Sequence, residues 1–262
     1  MFCDSLHIFL LPFFQKCNIN LSVIPQFLEL CVVIRDTDFD GMIDQAPHLI
    51  LTICSLIKFE NIVLNKKHIR LLLNIILNDW KIMANELPVL EKTTAQGNRL
   101  AYLYRVTLLT AVICFIYIPL INPTLDLIMP LNETRPKQQL YGVCYIFIDI
   151  DDHFTSVFLH LSWTAFVIVY NVAAVDSLYI LIIHHVCGLF DVCGYQIEMA
   201  LAENKVQYHQ FKLCVITHHK ALELVPITLN CKLSILLMRY SILGFSVTYK
   251  NVLRICSYCW WQ

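Results

Sequence analysis

The stretch FTSVFLHLSWTAFVIVYNVAAVDSLYILIIHHVCGLF, Phe154 to Phe190, holds one carboxylate, Asp176, and no lysine or arginine in 37 residues. At 1.5 Å per residue it makes a helix of about 55 Å, longer than a bilayer core of about 30 Å. A run this apolar and this long predicts a helix that spans the membrane and projects beyond it. A second run, VTLLTAVICFIYIPLINPTL (Val106 to Leu125), is twenty residues without a charge, again the length of one crossing. The composition agrees. Of 262 residues 58% are hydrophobic and 15% charged, and the mean hydropathy is +0.62. Soluble domains carry about 25% charged residues, so a soluble helical protein is excluded.

Three further segments are apolar but interrupted. LHIFLLPFFQKCNINLSVIPQFLELCVVI (Leu6 to Ile34) contains Lys16, Glu29 and two prolines, MIDQAPHLILTICSLIKF (Met42 to Phe59) has a short apolar centre, and LELVPITLNCKLSILLMRYSILGFSVTY (Leu222 to Tyr249) carries Lys232 and Arg239. Spanning helices tolerate proline where neighbours satisfy the freed carbonyls. The expected architecture is all-α: a polytopic transmembrane helical bundle with five spans, at about 6–34, 42–59, 102–125, 154–190 and 222–249. The start has no basic segment ahead of its apolar run, and Asp4 stands where a signal peptide would carry positive charge.

Lysine and arginine in connectors set orientation, with the richer side cytoplasmic. Eight lie between spans 2 and 3 (Lys58, Lys66, Lys67, Arg70, Lys81, Lys92, Arg99, Arg105) and three between spans 4 and 5 (Lys205, Lys212, Lys220). The other side holds Arg35, Arg135 and Lys137. This asymmetry puts the N-terminus in the cytoplasm. The sequon Asn132-Glu-Thr, in the loop that charge places outside, is an expected glycosylation site. A second sequon at Asn20 falls inside span 1 and is expected to be silent.

DTDFDGMID, Asp36 to Asp44, resembles the start of a calcium loop, with oxygen ligands at positions 1, 3, 5 and 9 and Gly41 at position 6. Position 12 needs a bidentate glutamate and is Pro47. The expected reading is an acidic extracellular turn. Adjacent histidines at 184–185 and 218–219 diverge by about 100° on a helix and chelate poorly. CSYC (Cys256 to Cys259) is a lone pair without a zinc or redox context, and Cys144 is the cysteine to watch for a disulfide. No nucleophile–base constellation, phosphate loop or nucleic-acid stripe is present, so no enzyme activity, cofactor, metal or nucleic-acid partner is expected.

Four stretches resemble the insect odorant receptor family. They are NKKHIRLLLNIILNDWKIM (Asn65 to Met83) with its D-W pair, and MPLNETRPKQQLYGVCYIFIDIDDHF (Met129 to Phe154). The third, AVDSLYILIIHHVCGLFDVCGYQIE (Ala174 to Glu198), has a D-x-L-Y step, a histidine before C-G and a G-Y-x-I-E end. The fourth is ITHHKALEL (Ile216 to Leu224). The resemblance covers most of residues 40 to 224. The first forty residues lack the family's longer leader, and residues 225–262 read as a divergent tail. Two of the family's seven spans are expected to be missing, which makes the whole of 1–262 a partial receptor transmembrane domain.

The resemblance implies an odorant-binding tuning subunit of a ligand-gated cation channel. Such a subunit assembles with a co-receptor as a hetero-oligomer, a tetramer in the family's pattern, in the plasma membrane of sensory-neuron dendrites. Its partners are a small volatile odorant, the co-receptor and membrane lipid. It also implies a pocket in the outer half of the bundle. A volatile ligand needs a mostly apolar cavity with few polar groups, and the candidates there are His48, Phe115, Tyr117, Phe158 and Trp163. Trp163, Phe166 and Tyr170 share one helix face, either pocket or bundle core. Asp176, a charge inside a span, is expected to pair with a basic group on another helix or to reach water at the cytoplasmic end. Two alternatives stand beside this reading: a non-functional receptor fragment, and a fragment of a G-protein-coupled receptor, which requires the opposite orientation.

Overall fold

The computed structural model describes residues 21–82, 87–129, 135, 137–145, 149–150, 152–202 and 208–229. Among them every regular element is helical. In chain order these are α1 (21–35), α2 (Phe39–Leu64), α3 (Lys66–Ile82), α4 (Leu87–Tyr117), α5 (Ile121–Ile128), α6 (Phe154–Ala202) and α7 (Tyr208–Leu229). A 3₁₀ turn, Ile118–Leu120, joins α4 to α5. Pro119 sits in it, where a missing N–H and a ring that crowds the preceding turn stop the α ladder. Pro47 lies inside α2.

Three helical segments are long and apolar enough to cross a membrane: Phe39–Leu64, Pro88–Ile128 and Phe154–Leu201. They contain the expected spans 42–59, 102–125 and 154–190, and each runs further than its apolar centre. At 49 residues, α6 is about 73 Å long. For the expected span 6–34, residues 21–34 are helical and 6–20 lie outside the described residues. For 222–249, α7 continues to Leu229 and 230–249 lie outside them, as does most of the expected tail. Lys92, Arg99 and Arg105, read from sequence as connector, belong to α4. Lys58 belongs to α2 and is fully buried.

The acidic stretch after α1 is built from two helix ends. The amide of Thr37 bonds the Ile34 carbonyl (3.2 Å) and that of Asp38 the Val33 carbonyl (3.2 Å). Thr37 has φ 55°, so α1 closes in a Schellman motif with threonine at the left-handed position that glycine usually takes. Asp38 then caps α2: its Oδ1 accepts the Gly41 amide at 3.1 Å, the N-cap-to-N3 bond. A Cβ on Gly41 would lie 2.5 Å from Asp38 Oδ2. Asp40, Gly41 and Asp44 are therefore helical, and no calcium loop forms.

The described chain divides into two compact units. The first takes residues up to 58 and 107–172, with 237–262 outside the described residues. It is tied by hydrogen bonds between buried polar side chains. Gln45 Nε2 donates to the carbonyls of Gly142 (2.9 Å) and Gln26 (3.3 Å). Thr52 Oγ1 donates to Gln26 Oε1 at 3.1 Å. Asn171 Nδ2 donates to the carbonyl and hydroxyl of Ser55, both at 2.9 Å. The loop after α5 is held down by its own backbone, the Cys144 amide bonding the Pro25 carbonyl at 3.2 Å. Such interhelical bonds contribute about 0.6–2 kcal/mol each inside a bilayer.

The second unit takes the described residues within 59–106 and 173–229. Its core is a stripe along α6, Val175, Tyr179, Ile182, Val186, Leu189 and Val192, packed with Leu72, Leu90, Ala221 and Leu224. The stripe repeats every three or four residues, as one face of a helix must. Helix α4 approaches α6 so closely that a Cβ on Gly97 would lie 2.5 Å from the Cβ of His184. Around Gly194 nothing lies within 4 Å.

This contrast yields a paired test. Gly97→Ala is expected to lower the melting temperature of the detergent-solubilised protein, because the helices must separate. Gly194→Ala, which gains up to about 1 kcal/mol of helix propensity, is expected to leave it unchanged or raise it. Equal effects would contradict the packing.

Candidate ligand site

His48, on α2, is the centre of an aromatic group in the first unit. Its ring lies 5.3 Å from that of Phe115, on α4, and 5.4 Å from that of Tyr141, near which it is stacked at 24°. Tyr141 is buried because Leu140, Tyr141 and Val143 turn inward from the loop pinned to Pro25. Its hydroxyl faces the Gln26 side chain without closing a hydrogen bond of ordinary geometry. Burial pushes this hydroxyl far above the usual phenol range, with Tyr145 adding to the effect, so it remains a neutral donor. Among the described residues the His48 imidazole makes ring contacts and no side-chain hydrogen bond.

A second pair lies in the same unit. Tyr145 Oη and His160 Nδ1 are 2.9 Å apart, and burial raises the Tyr145 hydroxyl. His160 Nε2 is buried without a partner among the described residues. Phe158 stacks on Phe154 at 6.3 Å, and the Lys137 ammonium lies 5.3 Å from the Phe154 ring centre, a cation–π distance.

The structure thus brings together two of the five residues singled out in the sequence, His48 and Phe115. Phe158 is half-buried on Phe154. Tyr117 and Trp163 are exposed, at 55% and 59%. Trp163, Phe166 and Tyr170 do form one stacked row, with centres 6.4 and 6.2 Å apart, but the row is turned outward rather than into core. Asn132 lies outside the described residues. Sequence reasoning missed Tyr141, Tyr145, His160 and the Gln26–Gln45–Thr52 group. The signal for Tyr141 was the apolar run that begins at Leu140, directly after the polar first half of the loop.

The second unit buries charge. Asp79 (α3) is fully buried. Its Oδ2 lies 3.1 Å from His185 Nε2 on α6, and its Oδ1 accepts a bond from the Lys220 ammonium on α7. These residues come from three of the stretches that carry the family resemblance: the D-W pair, the histidine before C-G, and the H-K step. His185 Nδ1 is buried without a partner among the described residues. Asp176 accepts a bond from the Tyr104 hydroxyl at 2.7 Å and is fully buried, so it does not reach water. Thr93 Oγ1 donates to Asp191 at 2.6 Å. No group of three His, Cys, Asp or Glu side chains among the described residues could hold a metal. Cys144 is a free thiol among the described residues, and Cys256–Cys259 lie outside them. Cys193 (α6) and Cys214 (α7) place their sulfurs 2.9 Å apart.

Apolar helices of spanning length, joined by polar contacts satisfied inside the protein, define a polytopic α-helical membrane protein. The sequence model of the 7tm odorant receptor family matches residues 38–248. The chain belongs to that family, whose members are receptors. No curated protein matches the chain.

The buried carboxylate gives a direct prediction. Asp79→Ala leaves His185 and Lys220 without their acceptor. It is expected to destabilise the protein by about 3 kcal/mol, the low end for a broken buried pair because Lys220 keeps some solvent. Lys220→Met, which leaves the Asp79–His185 contact in place, is expected to cost less. Thermal unfolding in detergent compares the two, and a larger loss for Lys220→Met would contradict the assignment.

Proposed function

We propose that the chain is the odorant-tuning subunit of an odorant-gated cation channel, working with a co-receptor subunit in the plasma membrane of sensory-neuron dendrites. The observation that carries the reading is the group formed by His48, Phe115 and Tyr141: adjoining rings and one buried hydroxyl without a hydrogen bond of ordinary geometry among the described residues. That is the chemistry a small volatile molecule needs, apolar contact over most of its surface with a single polar group to orient it. The charge bias of the connectors supports an orientation with the N-terminus and α3 in the cytoplasm and Asn132 outside.

On this reading His48 and Phe115 supply faces for the ligand's hydrocarbon, and Tyr141 donates to an oxygen on the ligand. Phe158 extends the aromatic lining. Tyr117 and Trp163 act at the protein's outer surface, against lipid or a neighbouring subunit.

The test is current recorded from cells expressing the chain with the co-receptor under an odorant panel. Tyr141→Phe is expected to raise the effective concentration of ketone, ester or alcohol ligands about fivefold, the loss of one hydrogen bond. It should leave responses to pure hydrocarbons as they were. His48→Ala is expected to weaken both. Unchanged responses in both variants, with normal surface expression, would remove the site from consideration.

A further inference from the structure

Helix α3 presents two unlike faces. Leu72 and Asp79, seven residues apart, are buried. Away from them, Lys67, Arg70, Asn74, Asn78 and Lys81 follow one another at spacings of three and four, so they form one continuous stripe, and Lys66 joins it one turn before Arg70. All are exposed. The only acidic residue on α3 is Asp79, which is turned inward, so nothing on the helix neutralises the stripe. None of the four cations has an ion pair among the described residues.

A solvated charge run would account for the lysines but not for their neighbours. Leu71, Leu77 and Ile82 flank the stripe at 56%, 61% and 67% exposure, with Leu73 at 37%. Large aliphatic side chains interleaved with cations suit an interface in which the cations meet headgroups and the aliphatics meet acyl chains. The position along the chain agrees. Lys66 follows the last residue of α2, Leu64, by two positions, and α2 is one of the membrane-spanning candidates. A basic cluster next to a spanning helix lies within reach of the headgroups on the lysine-rich side, and the leaflet there is anionic.

We propose that the outward face of α3 docks on anionic phospholipid of the cytoplasmic leaflet, with Lys66, Lys67, Arg70 and Lys81 contacting the headgroups and Leu71, Leu77 and Ile82 seated at the acyl boundary. The occupant is fixed by charge complementarity: four cations and no carboxylate on the face. The surface lies wholly on α3 and does not depend on which odorant, if any, the first unit binds.

The experiment uses the full chain purified in neutral detergent and titrated with fluorescent phosphatidylserine or phosphatidylcholine in mixed micelles. The wild type is expected to take phosphatidylserine in preference, and the preference is expected to shrink as salt is added. The combined variant Lys66→Gln, Lys67→Gln, Arg70→Gln, Lys81→Gln should lose the preference by about tenfold or more, each cation contributing roughly a fivefold share before screening. Lys92→Gln, Arg99→Gln, Arg105→Gln, which removes three exposed charges from α4, should retain it. All these positions are on the surface, and size-exclusion profiles check that each variant stays folded. Equal preference in wild type and the combined variant overturns the proposal. So does full competition by soluble inositol phosphate at the lipid's own concentration, which would mean free-phosphate binding. A change of oligomeric state in the combined variant with the lipid preference intact also overturns it, in favour of a protein partner.

Discussion

A bilayer core offers no water to a polar group, and the helices of this chain and their buried charges answer to that constraint. Every regular element among the described residues is helical, since a helix satisfies its own amides and carbonyls, and the loop after α5 ties its Cys144 amide to the Pro25 carbonyl. Asp176 and Asp79, both fully buried, are met by the Tyr104 hydroxyl and by His185 with Lys220. Gln26, Gln45, Thr52, Ser55 and Asn171 bond one another or a carbonyl of another element. Helix α6 is the shared element: its residues up to 172 belong to the first unit and those from 173 to the second.

Against that background of satisfied groups, the exceptions carry information. Tyr141 Oη, His160 Nε2 and Ser162 Oγ are buried in the first unit without a hydrogen-bond partner among the described residues. On the proposed reading, the Tyr141 hydroxyl, which faces Gln26 without a hydrogen bond of ordinary geometry, would orient a ligand's polar atom beside the His48 ring. The second unit buries carboxylates held by partners on other helices, Asp79 by His185 and Lys220 and Asp176 by Tyr104, a pattern that fixes helix positions, and it too has buried atoms, such as His184 Nδ1 and His185 Nδ1, without a hydrogen-bond partner among the described residues.

The sequence disclosed the parts that depend on composition along the chain. The run from Val106, without a charge, and that from Phe154, with Asp176 alone, announced their helices directly, and His48 and Phe115 were visible as a polar and an aromatic residue within apolar runs. Helix ends were less legible: Lys92, Arg99 and Arg105 read as connector because hydropathy registers transfer from water, whereas a helix continues wherever its hydrogen bonds do. Residues brought together by tertiary contact were not legible at all. Asp79 meets His185 across 106 positions and Lys220 across 141, and no periodicity links them. Tyr141 sits in a loop, where side-chain direction follows no repeat. The four aspartates of Asp36–Asp44 match the calcium spacing up to Pro47, which ruled the loop out from sequence, but the expected acidic turn is shorter than that stretch, because α2 already starts at Phe39.

The orientation proposed for these helices underlies the external ligand site and the cytoplasmic lipid surface alike, and glycan occupancy reports on it without any need for a ligand. The chain expressed in cells is expected to lose mass on treatment with an N-glycosidase, and Asn132→Gln is expected to abolish that shift. A sequon introduced beside Lys66 should stay unmodified. A glycan on the introduced sequon, with none at Asn132, would invert the topology and contradict the account.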